Sequence, residues 1–232
     1  QAGQGEGWFN SYYDNHGQAV EGILEDQVRM MLTGQVFAIM GKVAEDPQIR
    51  SIIKSADHYL YEKEIGGYRL NTDFHELKFD LGRMFGFAYG EKENGAVFSH
   101  MAVMYGNALY RRGYAKEGWK VLKSLSDTAL DFNTSRIYPG IPEYFRSDGR
   151  GMYHYLTGAA SWYMLTMVTQ VFGVRGEGGD LIIAPKLLAE QFDSQGKASI
   201  QIAFANKTLE VIFENTGRKD YGDYTLGAVA NL

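Results

Sequence analysis

The run NGAVFSHMAVMYGNALYRRG at residues 94–113, followed at once by AKEGWKVLKSLSDTALDF at 115–132, decides how this chain is read. Apolar and small residues recur through both segments at spacings of three and four, the mark of helices with broad buried faces. Gly113 stands where a left-handed residue stops the first of them. Two helices joined by so short a link form an αα-hairpin. The same unit precedes it. Residues 26–44, DQVRMMLTGQVFAIMGKVA, place Val28, Met31, Leu32, Gln35, Val36, Ile39, Met40 and Val43 on one helical face. Asp46 as cap and Pro47 in the first helical position then open a second helix through Ile49, Ile52, Ile53, Ala56, Tyr59 and Leu60. A further helix is expected over MYHYLTGAASWYMLTMVTQVFG at 152–173.

Long irregular stretches at 65–95 and 133–152 separate these helices, and loops of that length inside a compact domain are often functional. Beyond Gly173 the pattern changes. VRGEGGDLIIAPKL, KASIQIAFA and KTLEVIFEN alternate with a period of two, and a last strand is expected around Tyr224–Ala230. The expected fold class is mainly α: part of an α/α toroid over residues 1–175, followed by a β-rich segment over 176–232. A half toroid leaves apolar surface uncovered, which favours association with a partner or a second copy.

Composition narrows the function. The chain has 232 residues, 45% hydrophobic and 22% charged, with a formal net charge of −5 and no cysteine. Disulfide and thiolate–metal chemistry are therefore excluded. The absence of a basic excess argues against a nucleic-acid binder, and no apolar run reaches the length of a membrane span. The N-terminal residues lack the basic start and apolar centre of a secretory signal, so a soluble, cytoplasmic protein is expected. The pairing of 28 Gly and 16 Tyr with 4 Pro is a mixture that carbohydrate sites use, as do plain cores.

Chemistry-bearing side chains gather at the long loops: Asp73, His75, Glu76, Lys92, Glu93, Asn94 and His100 at the first, and Glu143, Arg146, Arg150, Tyr153, His154 and Thr157 at the second. Taken alone, His100 on an apolar helix face is a core histidine. Thr157 and Gly158 near a helix start offer a hydroxyl and unpaired N–H groups to an anion, although a helix-interior Thr-Gly pair that allows tight packing is the competing reading and, taken alone, the favoured one. In combination, an imidazole, a hydroxyl and free amides are sensible phosphate ligands, and Arg150 can add a bidentate contact. A carboxylate pair for glycoside chemistry can be drawn from Asp73, Glu76, Glu93 and Glu143, and their spacing selects none of them. HExxH, GxSxG and Walker motifs are missing, no metal site is expected, and the Gly-Glu-Gly-Gly-Asp turn at 176–180 is a weak phosphate signal.

The segments KENGAVFSHMAVMYGNALYRRGY (92–114), SRIYPGIPEYF (135–145) and GRGMYHYLTGAASWYMLTMVTQVFGVRGEGGDLIIAPKL (149–187) resemble glycoside hydrolase family 94. This family holds cellobiose-phosphorylase-like enzymes, other β-glucan phosphorylases and the phosphorylase region of cyclic β-1,2-glucan synthases. EGWFNSYYDNHG and RMMLTGQVFAIMGKVA extend the likeness upstream. The resemblance implies an (α/α)6 barrel with a C-terminal sheet domain. It also implies an inverting reaction in which inorganic phosphate, a co-substrate in place of any cofactor, attacks a β-glucan or β-glucoside to give α-glucose 1-phosphate. It places phosphate binding on His100, Thr157 and Gly158, and makes Glu93, Asn94, Glu143, Arg150 and Tyr153 candidates for touching sugar hydroxyls. The family's general-acid aspartate belongs to an Asp-Trp-Asn-Asp-like stretch that does not occur in this sequence. The expectation is a C-terminal portion, inactive alone, that needs the missing N-terminal part or a second copy. A non-catalytic carbohydrate-binding or assembly fragment is the alternative.

Overall fold

The computed structural model describes residues 7–24, 27–138, 140–154 and 157–227. They fall in two compact units, Gln1–Met164 and Leu165–Leu232. The first unit opens with a hairpin of β1 (Gly22–Leu24) and β2 (Gln27–Arg29), followed by α1 (Leu32–Met40) and α2 (Asp46–Tyr59). The helix expected over 26–44 is shorter at both ends. Val28 pairs with Ile23 in the hairpin, so its apolar character serves a strand, and Val43 lies exposed beyond the helix end at Gly41. Helix α2 is capped one residue earlier than expected. Glu45 is the N-cap, its N–H donates to Gln48 Oε1 at 2.9 Å, and Asp46 and Pro47 fill the first two helical positions.

A small hairpin of β3 (Tyr61–Glu62) and β4 (Gly67–Tyr68) leads into the first long segment. This segment is not a loose loop. Phe74, Leu81 and Phe85 bury themselves with Val20 in a secondary cluster, Arg29 lies 5.4 Å over the Phe74 ring, and Arg29 pairs with Glu76 at 2.9 Å.

The helical pair expected from 94 onward is present, the first helix starting later than expected and the second at the expected residue. Val97–Phe98 forms β5, α3 spans Ser99–Arg111 and α4 spans Ala115–Leu130. Every residue of α3 from Ala102 to Tyr110 is buried, so α3 is the central helix, with α1 and α4 packed on it. Its end is a Schellman motif: Gly113, at φ 85°, donates to Tyr110 O at 3.1 Å, and the Tyr114 N–H donates to Leu109 O at 3.0 Å. Around α3 the core joins Met30, Leu32, Val36, Ile39, Ile49, Ile52, Leu60 and Tyr68. Each fully buried aliphatic side chain contributes about 1.5–3 kcal/mol relative to exposure.

After the short α5 (Phe132–Ser135), the second long segment supplies β6 (Tyr144–Phe145) and β7 (Gly151–Met152). With β5 they make a three-stranded antiparallel sheet, Val97 opposite Phe145 and Tyr144 opposite Met152. Helix α6 runs Gly158–Thr166 and continues as a π-helical turn, Met167–Val171. The start expected at 152 is displaced because Met152 belongs to β7.

The second unit carries the β8 (Val174–Glu177) and β9 (Asp180–Ile183) hairpin and a longer one of β10 (Lys197–Phe204) and β11 (Lys207–Glu214). Ala205 and Asn206 turn the latter with φ 48° and 60°, the left-handed pair that matches strand twist. Leu209, Val211 and Phe213 line, with Leu181, Ile183 and Leu187, a cavity of about 560 Å³. The last expected strand is not formed at Tyr224–Gly227, where the Tyr224 hydroxyl donates to Leu187 O at 3.1 Å, and its remainder lies outside the described residues.

Among the described residues no helix is long and apolar enough to cross a membrane.

Candidate functional site

The three-stranded sheet is the hub of the site. Each strand is two residues long and each delivers a chemistry-bearing residue at its end: β5 runs into His100, β6 follows Glu143, and β7 runs into Tyr153. Backbone bonds extend the join, because the Ser99 N–H donates to Glu143 O at 2.9 Å and the Glu143 N–H reaches Tyr153 O at 3.0 Å.

His100 is the second residue of α3 and lies against the start of α6. A Cβ added at Gly158 would come 2.4 Å from His100 Cε1 and 2.6 Å from Nδ1. Only glycine lets the ring sit there. The Trp162 ring, one turn into α6, stands 5.9 Å from the imidazole. Thr157 caps α6, its Oγ1 accepting the Ala159 N–H at 3.0 Å, and the hydroxyl retains its own hydrogen as a donor. An α-helix leaves its first N–H groups without intrahelical partners and carries partial positive charge at that end. His100 and the adjacent pair Thr157 and Gly158, far from it in sequence, are thus brought together.

Among the described residues, the buried side-chain atoms without a hydrogen-bond partner include His100 Nε2, Ser99 Oγ, Glu143 Oε2 and Glu93 Oε2 on these segments. Such atoms are rare in folded proteins and each calls for an explanation. Burial pushes the His100 pKa below its ordinary value, so the ring is neutral at neutral pH, with one nitrogen a donor and the other an acceptor.

The other candidates separate clearly. Of the four carboxylates considered from sequence, Glu76 is engaged by Arg29 and Lys78, and Asp73 accepts the His75 N–H in an exposed turn. Glu93 and Glu143 keep a buried oxygen unpaired, although Arg83 Nε stands 3.5 Å from the other oxygen of Glu93. Asn94 is committed elsewhere, its Nδ2 donating to Phe87 O at 2.8 Å and its Oδ1 accepting from Asn71 at 3.1 Å. Arg150 is exposed at the turn between β6 and β7, its N–H on Asp148 Oδ1 at 3.1 Å. Tyr153 adopts φ 56°, with Lys92 Nζ 4.1 Å over its ring and Tyr144 beside it at 5.9 Å. Asn71 and Arg69, which hold the turn that bears Glu93, were not singled out from sequence. In IGGYRLNTDF they read as ordinary loop polar residues, and only their burial marks them. No group of three or more His, Asp or Glu that could hold a metal ion occurs among the described residues.

Comparison with known proteins places the chain in a family. The chain is 28% identical over 183 residues to cellobionic acid phosphorylase of Neurospora crassa, covering 72% of this chain and 23% of that protein. It is 24% identical over 223 residues to solabiose phosphorylase of Paenibacillus borealis, covering 93% and 28%. With 3-O-β-D-glucopyranosyl-β-D-glucuronide phosphorylase of the same organism it shares 22% over 193 residues, covering 79% and 25%. The chain therefore spans about a quarter of the length of these relatives. Residues 2–173 match the model of the glycosyl hydrolase 94 superfamily, catalytic domain. That match takes in the hub sheet, His100 and the start of α6, and the chain belongs to the glycosyl hydrolase 94 superfamily.

Proposed function

We propose that this chain is the C-terminal portion of an inverting glycoside phosphorylase, its helical part belonging to an (α/α)6 barrel. His100, Thr157 and the start of α6 at Gly158 hold inorganic phosphate. The observation that carries the reading is the neutral imidazole seated on Gly158 with a buried, unpaired Nε2 beside a hydroxyl donor and a helix N-terminus. The names of the relatives support the reaction class, since all three compared above are phosphorylases. In the reaction a phosphate oxygen attacks the anomeric carbon of a terminal β-glucoside as the glycosidic bond breaks. α-Glucose 1-phosphate forms, and a proton passes to the leaving sugar oxygen. Glu93 and Glu143, with Tyr153 and Arg150, contact sugar hydroxyls, while Asn94 acts by shaping the turn that bears Glu93.

The leaving-group proton comes from an aspartate outside residues 1–232, because the Asp-Trp-Asn-Asp-like stretch is missing from this sequence. A general acid contributes roughly a hundred- to ten-thousand-fold to rate, so the chain alone binds without turning over. Calorimetric titration with phosphate and with short β-glucans, beside an assay for released glucose 1-phosphate, tests this. Phosphate binding that is abolished in His100→Ala, with no product formed, is the expected result. Glucan binding indifferent to phosphate would mark a carbohydrate-binding fragment instead, and turnover by the chain alone would show that the acid lies within it.

A further inference from the structure

We infer that Asn71, assisted by Arg69, is a positioning residue of this site: it clamps the Glu91–Gly95 turn so that Glu93 is held at one place and angle. The inference rests on the reading of Glu93 as a sugar contact and names what fixes it there.

Asn71 is fully buried and at least twenty residues from the turn in sequence, yet most of its side-chain hydrogen bonds go to that turn. Its Oδ1 accepts the Gly95 N–H at 2.8 Å, and its Nδ2 donates to Asn94 Oδ1 at 3.1 Å and to Thr72 O at 3.0 Å. Arg69, buried beside it, donates from Nη1 to Gly95 O at 2.7 Å, with its guanidinium 5.3 Å from the Tyr89 ring centre. Both peptide groups of Gly95 are therefore gripped by side chains of one short segment.

The other end of the turn is gripped as well. Glu91 receives the Tyr144 hydroxyl at 3.0 Å on one oxygen and pairs with Arg146 Nε at 3.0 Å on the other. Between these anchors the Asn94 N–H closes onto Glu91 O at 3.0 Å, and the Gly90 N–H onto Asn94 O at 2.7 Å. Lys92, within the turn, adopts φ 45°, a left-handed conformation that a lysine takes only under constraint. Residues kept in such conformations persist where the surroundings over-determine them, and they cluster at functional sites. A buried network with every member satisfied specifies one geometry, and here the geometry specified is that of the turn next to Glu93 Oε2, the buried oxygen left unpaired.

The test uses the full chain, with Asn71→Ala and Asn71→Asp beside the parent. Hydrogen exchange is followed at residues 90–95 and along α3, and calorimetry gives the affinities for inorganic phosphate and for α-glucose 1-phosphate. Asn71→Ala should speed exchange at 90–95 while α3 stays protected. It should also weaken α-glucose 1-phosphate about ten- to a hundred-fold, the scale expected when a contact is misplaced by about an ångström, and leave phosphate affinity unchanged. Asn71→Asp, which keeps the acceptor for Gly95, should recover part of the loss. Equal loss for both ligands would mean a merely structural role and would overturn the inference, as would unaltered exchange at 90–95. Should the parent bind neither ligand, the phosphorylase reading fails by itself. The exchange at the turn then decides alone whether Asn71 holds it.

Discussion

At His100 a single ring answers to three neighbours: Gly158 below it, Trp162 beside it and the burial that keeps it neutral. Gly158→Ala forces a Cβ into the space of the imidazole, and phosphate affinity should fall at least about tenfold by titration. Thr157→Val removes both the cap and the hydroxyl donor. It should lower stability in urea by about 1 kcal/mol and weaken phosphate binding, whereas Thr157→Ser should preserve both. The titration of His100 also has a definite sign. Its folded pKa lies below the unfolded value of about 6.5, so over the window beneath 6.5 the unfolded chain binds more protons than the folded one. Stability owed to this residue is complete above pH 6.5 and is lost as pH falls through that window. Melting curves from pH 5 to 8 should show a slope in the parent that His100→Gln lacks, softened because the ring is partly exposed. The sequence revealed His100, Thr157 and Gly158 as residue types suited to an anion. It could not reveal their contact, because Gly158 carries no side chain to advertise what it makes room for.

Among the elements, the helices were legible and the short strands were not. Pro47 and the isoleucines of α2 gave a start and a face, and Gly113 gave the end of α3, because capping chemistry and a 3.6-residue period leave marks in one dimension. Strands of two residues, such as Val97–Phe98 and Gly151–Met152, leave no alternation to count. Val28 misled for the opposite reason, since its spacing from Met31 and Leu32 continues a helical stripe while its backbone pairs with Ile23. What ends α1 on that side is Glu21, buried and close by. Its carboxylate accepts the N–H and hydroxyl of Ser11 at 2.9 and 2.5 Å and the Met31 N–H at 3.0 Å, tying the entering chain to the helix start. Burial raises its pKa all the same, desolvation outweighing the donors. Glu21→Ala would leave those donors unpaired and should cost about 1–3 kcal/mol, read as a shift of the urea midpoint with an unchanged slope.

At the scale of the whole chain, each compact unit has buried side chains of its own, with Val174, Leu187 and Leu188 among those of the second. Leu187→Ala should cost about 2–5 kcal/mol of local stability and loosen exchange across residues 174–214, while the amides of α3 remain protected. The hub sheet carries a different consequence, one of timing. Its strands come from residues 97–98, 144–145 and 151–152, and the turn beside it is held from residues 69 and 71. Ordering contacts so distant along the chain demands loop closure before any of them is rewarded. Local helical hairpins can form early during refolding without possessing any fraction of the proposed anion site. Affinity for phosphate should then appear in the last kinetic phase, as a chemical clock for the moment the chain has closed on itself.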